Sequence, residues 1–410
     1  MRAFRFGNRM KQIAMDRRKI LLGGGFVAAL GAGAVYVGGK QMGCWTNYND
    51  AVQAMRSPLP LGADVHDLIR YATLAPNSHN TQAWRFARAP RQIVIQPDFS
   101  RRTPVVDPDD HHLFVSLGCA AENLQLAAAA RGQPGELRFD NANDGSISFD
   151  YQDGAPSESA LFGAIAQRQS TRAEYEARAV SPTDLKTLAL AAATPGVDTI
   201  LITDRVVMDR VRDLIIAGNS AQMGDLAFMR ELKSWLRFNP QQALKSGDGL
   251  YSVASGNPVL PQWLGSRAFD MLATAKSENE KYARQLRFSA GVAVFVGAQN
   301  NREHWVLAGR ACQRFALQAT ALGLKHAFIN QPLEVARLRP DLAALIGQPA
   351  RRPDILMRFG YGPTMPFSAR RPVAAVLSIW TYRAAVTASC SRAILTLARL
   401  GRMAGAGAYT

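Results

Sequence analysis

Hydrophobic positions recur along the chain with two different periods. Residues 117–132 and 308–323 have apolar side chains at helical spacing, and both segments end in Gly, which commonly ends a helix. Shorter helical runs lead up to Ala75-Pro76 and to Thr194-Pro195, where proline favours the end of a helix. Short apolar runs at 93–95 and 292–296 are typical of strands. The pattern therefore predicts a protein of mixed α and β structure.

The two long helical segments indicate an internal repeat. Gly118 and Gly132 lie 14 residues apart, as do Gly309 and Gly323. Two unrelated Ala-rich helices would explain this pair alone. An earlier pair supports the repeat, because Asp67-Leu68 and Asp184-Leu185 each begin a helical run. We therefore predict two related halves.

The second half is longer than the first. Asp67 and Asp184 are separated by 117 residues, whereas Gly118 and Gly309 are separated by 191. The second half therefore holds about 74 extra residues between these positions. We place this insertion at roughly 215–290. It is rich in large apolar residues, which favours a packed lid over a flexible loop. The alternative is a set of extra helices that thickens the core.

Charge excludes one class of partner. The chain of 410 residues carries a net charge of +16, which at first suggests nucleic-acid binding. Residues 1–20 and 370–410 contribute +6 each, so the body between them is nearly balanced. We therefore expect no nucleic-acid partner.

The N-terminal segment is typical of a targeting sequence. Arg17-Arg18 precedes an apolar run over 20–37, which indicates a twin-arginine export signal, with residues 1–45 as the signal region. We expect export to the periplasm or cell envelope. The alternative is an uncleaved membrane anchor, since the run is long enough to span a bilayer. Residues 376–410 form a basic apolar tail, either an amphipathic surface helix or a disordered segment.

Polar side chains are concentrated between the first helical run and the first strand. Pro76 ends the helix, and Trp84 begins the strand region. Amide, hydroxyl and imidazole groups packed there can bind the rim of a flat heteroaromatic ring, whereas a capped surface turn is the alternative. The candidate residues are Asn77, Ser78, His79, Asn80 and Gln82.

Arginines near residue 170 suggest an anion site. Arg168 and Arg172 would share a face if the segment were helical, with Ser170 close by. Two guanidiniums and a hydroxyl suit a phosphate monoester, although a solvated basic face is the alternative. Arg370 and Arg371 could supply further charge.

The four cysteines and the His111-His112 pair predict no metal site. The cysteines have no metal-like spacing, and a capped helix start explains the histidines.

These segments resemble the nitroreductase superfamily. Residues 75–86 are similar to its flavin-ring segment, with Ala83 in place of the usual proline, and 168–181 to its phosphate signature, with Gln169 departing from a second Arg. Residues 309–324, then Phe328 and Asn330, and 360–362 resemble its C-terminal helix, flavin-edge loop and closing strand. Similarity covers roughly 60–375 apart from the insertion, and the fused Acg-like flavoproteins are most alike.

The resemblance implies an α+β fold, a nitroreductase-like three-layer αβα sandwich in which two fused halves form an intrachain pseudo-dimer. We place the first half at 46–155 and the second at 156–375. The halves are degenerate in complementary ways, since the first holds the ring segment and the second the phosphate signature. The sequence therefore predicts one composite FMN site per chain in a monomer.

Three functions follow from these observations. The first is an FMN oxidoreductase that takes hydride from NAD(P)H and reduces an electron-poor aromatic or quinone. The second is a protein that sequesters FMN under the lid with little turnover. The third is a basic membrane-attached scaffold without cofactor, which rests on the two chain ends. No catalytic acid, base or nucleophile is assigned.

Overall fold

The computed structural model describes residues 42–142 and 144–378. The predicted export signal with Arg17-Arg18 lies outside the described residues, as do Cys390 and all but the first residues of the basic tail.

The N-terminal part of the described chain forms four antiparallel strands and one long helix. Its elements in chain order are α1 (Trp45–Met55), α2 (Val65–Ala72), β1 (Trp84–Ala89), β2 (Gln92–Pro97), α3 (His111–Ala130), β3 (Gly135–Asp140) and β4 (Ser146–Tyr151).

The C-terminal part begins with short elements, passes through a helical region and returns to a second sheet. Its first elements are α4 (Ala160–Ala164), α5 (Pro182–Ala192), β5 (Val197–Ile202) and α6 (Arg205–Met223). The region of the predicted insertion contains α7 (Leu226–Ser234), β6 (Leu236–Arg237), α8 (Pro240–Ser246), β7 (Leu250–Tyr251), α9 (Gln262–Leu272) and α10 (Ala275–Arg287). The chain continues with β8 (Gly291–Gly297), α11 (Arg302–Ala321), β9 (Lys325–Phe328), α12 (Gln331–Glu334), α13 (Arg339–Leu345), β10 (Ile355–Gly360), α14 (Val373–Val376) and β11 (Leu377–Ser378).

The described residues form two larger sheets and a small parallel sheet of β6 and β7. The first has strand order β11-β1-β2-β4-β3, and the second has order β5-β8-β10-β9. The second sheet is antiparallel, whereas in the first sheet β11 runs parallel to β1. The last described strand therefore joins the sheet formed by the first part of the chain. The fold is α+β, as the sequence predicts.

The C-terminal ends of the two long helices are alike and confirm the predicted glycine stops, whereas both helices begin six residues before the predicted starts at 117 and 308. Gly132 and Gly323 both adopt φ of +74°, the left-handed conformation that glycine reaches without strain. One residue beyond each glycine, the amide of Gln133 binds the carbonyl of Ala128, and the amide of Leu324 binds that of Ala319. Both helices therefore end in a Schellman-type motif.

The long helices α3 and α11 cross at the centre of the molecule. A Cβ added at Gly118 would lie 2.0 Å from the carbonyl oxygen of Val306, and a Cβ added at Gly309 would lie 2.0 Å from that of Val115. The two glycines are 191 residues apart in sequence, and so are Val115 and Val306, the residues that they contact. Each helix therefore presents a glycine to the backbone of the other, in a reciprocal contact.

Charged groups also join the two helices. Glu122 of α3 is buried and accepts hydrogen bonds from Arg310 at 2.9 Å and Arg314 at 2.8 Å. Helix α3 is the one helix in the described ranges that is long and apolar enough to span a membrane. However, 83% of its most apolar stretch is buried within the molecule. Its apolar character is that of a core helix.

Candidate functional site

A cavity of about 480 Å³ lies between the two halves and the insertion. Its walls come from 76–79, from one face of α3, from Arg172, and from 328–334. The insertion supplies the apolar side, which includes Phe228, Leu232, Phe238 and Phe269. This volume is in the range of pockets that hold cofactors and small molecules.

The predicted ring segment forms a tight turn at one wall of the cavity. Asn77, Ser78 and His79 line the cavity. Asn77 Oδ1 accepts a hydrogen bond from the amide of Gln82 at 2.8 Å, which closes the turn. His79, Asn80 and Gln82 all have positive φ, of 45°, 55° and 54°. Three non-glycine residues in the left-handed region indicate stored strain, which is common at binding sites.

Two residues of that segment lie behind the cavity wall. Asn80 and Gln82 are buried and do not line the cavity. Asn80 Nδ2 donates to the carbonyl of Gly249 at 3.0 Å, and Gln82 Nε2 donates to that of Gly247 at 2.8 Å. Their amides therefore hold the loop between α8 and β7, here called the latch loop (residues 246–250), against the first half.

Asp248 reinforces the latch loop. Its carboxylate binds Arg237 at 2.7 Å and also binds Arg101 of the first half. Burial acts to raise the pKa of Asp248, but hydrogen bonds from the two guanidiniums outweigh it and leave this pKa below its usual value. The insertion is thus tied to the first half by charge as well as by backbone hydrogen bonds.

Three buried guanidiniums meet beyond the C-terminal end of α2, at carbonyl groups shortly before Pro76 of the cavity wall. Arg168 donates to the carbonyl of Leu74 at 2.8 Å, and Arg370 donates to those of Thr73 and Leu74. Arg56 joins them and donates to the carbonyl of Arg168 at 3.4 Å. We call Arg56, Arg168 and Arg370 the arginine cluster.

Among the residues that the structure describes, the arginine cluster has unused donors, and no carboxylate contributes to the pKa shifts of its members. Within the described residues, Arg56 Nε and both Nε and Nη1 of Arg168 are buried without a hydrogen-bond partner. Burial lowers the pKa of Arg168 to about 10, and burial together with the charge of Arg168 lowers that of Arg370 to about 9. Because a buried cation without a counter-ion is costly, the cluster fits an anion such as a phosphate.

Arg172 occupies different surroundings from Arg168. The helical turn on which their pairing was predicted does not form, because 168–172 is extended and Ser170 pairs with the backbone of His326. Arg172 lines the cavity, and burial lowers its pKa. Its neighbours include the hydroxyl groups of Tyr282 and Tyr175. Arg172 is therefore a cation of the cavity wall and not part of the arginine cluster.

The remaining predicted residues lie at two other places. Phe328 and Asn330 line the cavity, and Asn330 Oδ1 accepts a hydrogen bond from the amide of Leu356 at 2.9 Å. Arg371 is half-buried, and its Nη2 donates to the carbonyl of Ala375 at 2.6 Å. Its backbone amide binds Gln82 Oε1 at 2.9 Å. Arg371 thus supports the latch region rather than the arginine cluster.

The far end of the cavity is polar. His112 and Glu334 both line it, and Glu334 accepts a hydrogen bond from Gln222 at 2.6 Å. Asp107 lies beneath His112 and accepts the amides of His112 and Leu113, so it caps α3 as the sequence suggests. Asp107, His111 and His112 place one ligand atom each within 4.8 Å of one another, but the capping bonds already account for Asp107.

Sequence reasoning missed two features of this site. Arg56 is not predicted as a site residue, because its neighbourhood lacks the phosphate signature. The repeat offset of 117 residues nevertheless places Arg56 opposite position 173, which is next to Arg172. Glu334 lies far from any motif, and no local signal connects it with His112. Burial of Cys119 and Cys312 agrees with their prediction as small core residues.

Curated proteins of Mycobacterium tuberculosis are similar to most of this chain. A protein of strain H37Rv provisionally named NAD(P)H nitroreductase Rv3131 is 26% identical over 339 residues, which cover 79% of this chain and 94% of that protein. A second, provisionally named NAD(P)H nitroreductase acg, is 26% identical over 77% of this chain and 95% of its own length. These relatives support the resemblance to the nitroreductase superfamily. No family model matches the chain.

Solved structures give a weaker likeness. A nitroreductase with bound FMN from Desulfitobacterium hafniense covers 55% of this chain with 17% identity and a TM-score of 0.35. The FMN-dependent nitroreductase NfnB from Mycobacterium smegmatis, solved with NADPH, covers 51% with 13% identity and a TM-score of 0.34. Likeness at this level supports no statement about the site.

Proposed function

We propose that this protein is an FMN-dependent oxidoreductase that transfers hydride from NAD(P)H to an electron-poor aromatic compound or a quinone. The observation that carries the proposal is the arginine cluster, with its buried and unpartnered donors, together with a cavity of about 480 Å³. FMN has a phosphate for such a cluster and a flat ring for such a cavity. The relatives named NAD(P)H nitroreductases support the same assignment.

Each group of residues has a defined task in this proposal. Arg168 and Arg370, with Arg56, hold the phosphate. Arg172 faces the ring and places positive charge where a reduced ring carries negative charge. Asn77, Ser78 and His79 bind the rim of the ring, with Phe328 and Asn330 at its edge. Bound FMN supplies the hydride chemistry, and the chain supplies binding, orientation and charge.

His79 serves as a neutral hydrogen-bonding group. Burial, together with the charges of Arg172 and His112, lowers the pKa of His79 to about 4, so its ring is uncharged at neutral pH. Its Nδ1 is buried without a partner in the described part of the chain. A neutral imidazole can donate to or accept from the ring rim without adding charge.

Anaerobic addition of NADPH to the FMN-loaded protein tests this proposal. We expect the flavin absorbance to bleach rapidly and to recover when a quinone or nitroaromatic is added. A flavin that stays oxidised with excess NADPH and NADH would refute the enzymatic proposal and favour the second candidate below.

The second candidate is a protein that sequesters FMN. The observation that favours it is the latch loop, which ties the insertion to the first half over the cavity. In this case the insertion acts as a closed lid and the flavin turns over little.

Asp248→Asn is expected to loosen this lid. The substitution removes the charge shared by Arg101 and Arg237, and a charge-assisted hydrogen bond contributes about 1.5–3 kcal/mol. FMN should therefore dissociate roughly tenfold faster, as measured by the fluorescence of released flavin. Asp153→Asn, which removes an exposed partner of Arg91, is the matched control. Equal dissociation rates for all three proteins would show that the latch does not retain the cofactor.

We also propose that the chain is a monomer with one intrachain pseudo-dimer, and that it is exported folded. The repeat offset shared by the α3–α11 contacts supports the first proposal, and Arg17-Arg18 before the apolar run supports the second. The protein would then lie in the periplasm or cell envelope, with membrane contact through the N-terminal segment.

Replacing Arg17 and Arg18 with Lys should block export, because the twin-arginine route requires the arginine pair. The measurement is the distribution of the full chain between cytoplasm and envelope fractions, with Lys11→Arg as a control. Normal envelope localisation of the double variant would exclude this route.

A further inference from the structure

The polar end of the cavity holds a histidine–glutamate pair that the proposed cofactor contacts do not use. His112 Nδ1 lies 3.9 Å from Glu334 Oε1, and both side chains line the cavity. A shift of about 1 Å would bring the two atoms within hydrogen-bond reach, and such bonds are often long before substrate is bound.

Both members of the pair are held in place from behind. The amide of His112 donates to Asp107 Oδ1 at 3.0 Å, which fixes the first turn of α3. Glu334 ends α12, and its Oε2 accepts a hydrogen bond from Gln222 of α6 at 2.6 Å. The second oxygen, Oε1, remains directed to His112. A fixed geometry of this kind suits proton transfer.

One ring nitrogen of His112 has nothing to bind. Among the described residues, His112 Nε2 is buried and without a hydrogen-bond partner. Leaving a buried polar atom unsatisfied costs about 1–3 kcal/mol. His112 lines the cavity, so a small rotation of its ring would let a molecule bound there satisfy Nε2.

Burial keeps the imidazole neutral and makes the carboxyl easier to protonate. Burial lowers the pKa of His112 to about 4, and burial raises that of Glu334. The other titratable and charged groups that face the pair come from the ring segment, the start of α3, α10 and the second half: His79, Asp107, His111, Tyr282, Arg339, Arg352 and Asp354. A proton shared by the pair is therefore held on the carboxyl more readily than on the ring.

We propose that His112 delivers the proton that an electron acceptor takes up as it is reduced in this cavity, and that Glu334 resupplies it. This inference rests on the proposed function and assigns that site its proton donor. It also favours acceptors whose reduction creates a negative oxygen, such as quinones.

The transfer balances in atoms and electrons. The acceptor receives a hydride, with its two electrons, from the reduced flavin and becomes an oxyanion. The Nε2–H bond of His112 breaks, and the proton forms an O–H bond on the acceptor. At the same time Nδ1 takes the proton of the Glu334 carboxyl, so the imidazole stays neutral and Glu334 becomes ionised. Glu334 then regains a proton from water.

Single-turnover reoxidation tests the relay without depending on NAD(P)H. The FMN-loaded protein is photoreduced without oxygen and then mixed with one of two acceptors. Menadione takes up protons when it is reduced, whereas ferricyanide takes up single electrons and no protons. His112→Gln and Glu334→Gln should each slow the menadione reaction roughly tenfold or more, since general acids contribute about 10²–10⁴. The ferricyanide reaction should keep its rate in both variants. In the parent protein the menadione rate should fall as pH rises, and Glu334→Gln should remove that dependence.

Controls separate this inference from the proposed function. His66→Gln, on the exposed face of α2, should react as the parent does with both acceptors. Equal menadione rates for the parent and His112→Gln would overturn the relay and leave the flavin function intact. Failure to bind FMN would instead refute the proposed function. Nitrogen NMR of labelled histidine in the full chain tests the pair independently of turnover. A neutral His112 with its proton on Nε2 is expected, and a proton on Nδ1 would overturn the relay.

Discussion

Arg168→Ala is expected to weaken FMN binding by roughly ten- to a hundred-fold while changing riboflavin binding little. The phosphate is the ligand's full negative charge near neutral pH, and the arginine cluster has the buried unpartnered donors that suit it. Each charge-assisted hydrogen bond contributes about 1.5–3 kcal/mol, which gives a loss of this size. Riboflavin lacks the phosphate, so it does not use the cluster.

Arg172→Ala is expected to behave differently, because this guanidinium lines the cavity and lies apart from the cluster. Both ligands should weaken to a similar extent. Arg138→Ala, at an exposed position on the first sheet, is the control. Fluorescence titration of each variant with FMN and riboflavin provides the comparison. If Arg168→Ala lost both ligands equally, or kept its FMN affinity, the phosphate would lie elsewhere.

Gly118→Ala and Gly309→Ala should each destabilise the protein strongly and by similar amounts. Each new methyl would lie 2.0 Å from a carbonyl oxygen of the opposite helix, so α3 and α11 would have to move apart. Forcing extra volume into a packed core costs typically about 1–3 kcal/mol, and contact with backbone places these changes at the upper end. Denaturant or thermal unfolding measures the loss.

Gly163→Ala provides the matched control, because a Cβ there meets nothing within 4 Å. Alanine favours a helix over glycine, so this variant should be at least as stable as the parent. Parent-like stability of either Gly118→Ala or Gly309→Ala would show that the two helices do not cross as closely as described.

The local elements could be predicted because their signals are local. Apolar spacing and a terminal glycine define α3 and α11, and proline ends the earlier runs. The reciprocal contact of Gly118 and Gly309 could be anticipated in part, since the repeat offset already related the two positions. That each glycine meets backbone of the other helix depends on how the helices pack, which periodicity does not encode.

The site was predictable in its residue types and less so in its arrangement. The cavity contains Asn77, Ser78, His79, Arg172, Phe328 and Asn330. Asn80 and Gln82 instead bind the latch loop, because the insertion offers carbonyl groups at Gly247 and Gly249. That partnership joins positions more than 160 residues apart. No pattern near the ring segment reveals it.

The arginines near residue 170 show the same limit. Their spacing suggested one helical face, but pairing of Ser170 with His326 keeps the backbone extended. Arg168 therefore meets Arg56 and Arg370, which come from the two ends of the described chain. The fold brings these three arginines together, whereas in the sequence they are three separate basic positions.

The number of flavins bound per chain tests the central claim most directly. The arginine cluster and the cavity together describe one composite site built from both halves. The purified full chain should therefore bind one FMN per polypeptide, measured by flavin absorbance against protein concentration after reconstitution and removal of excess ligand. A value of two would show that both halves keep a complete site, and a colourless protein that takes up no FMN would contradict the account altogether.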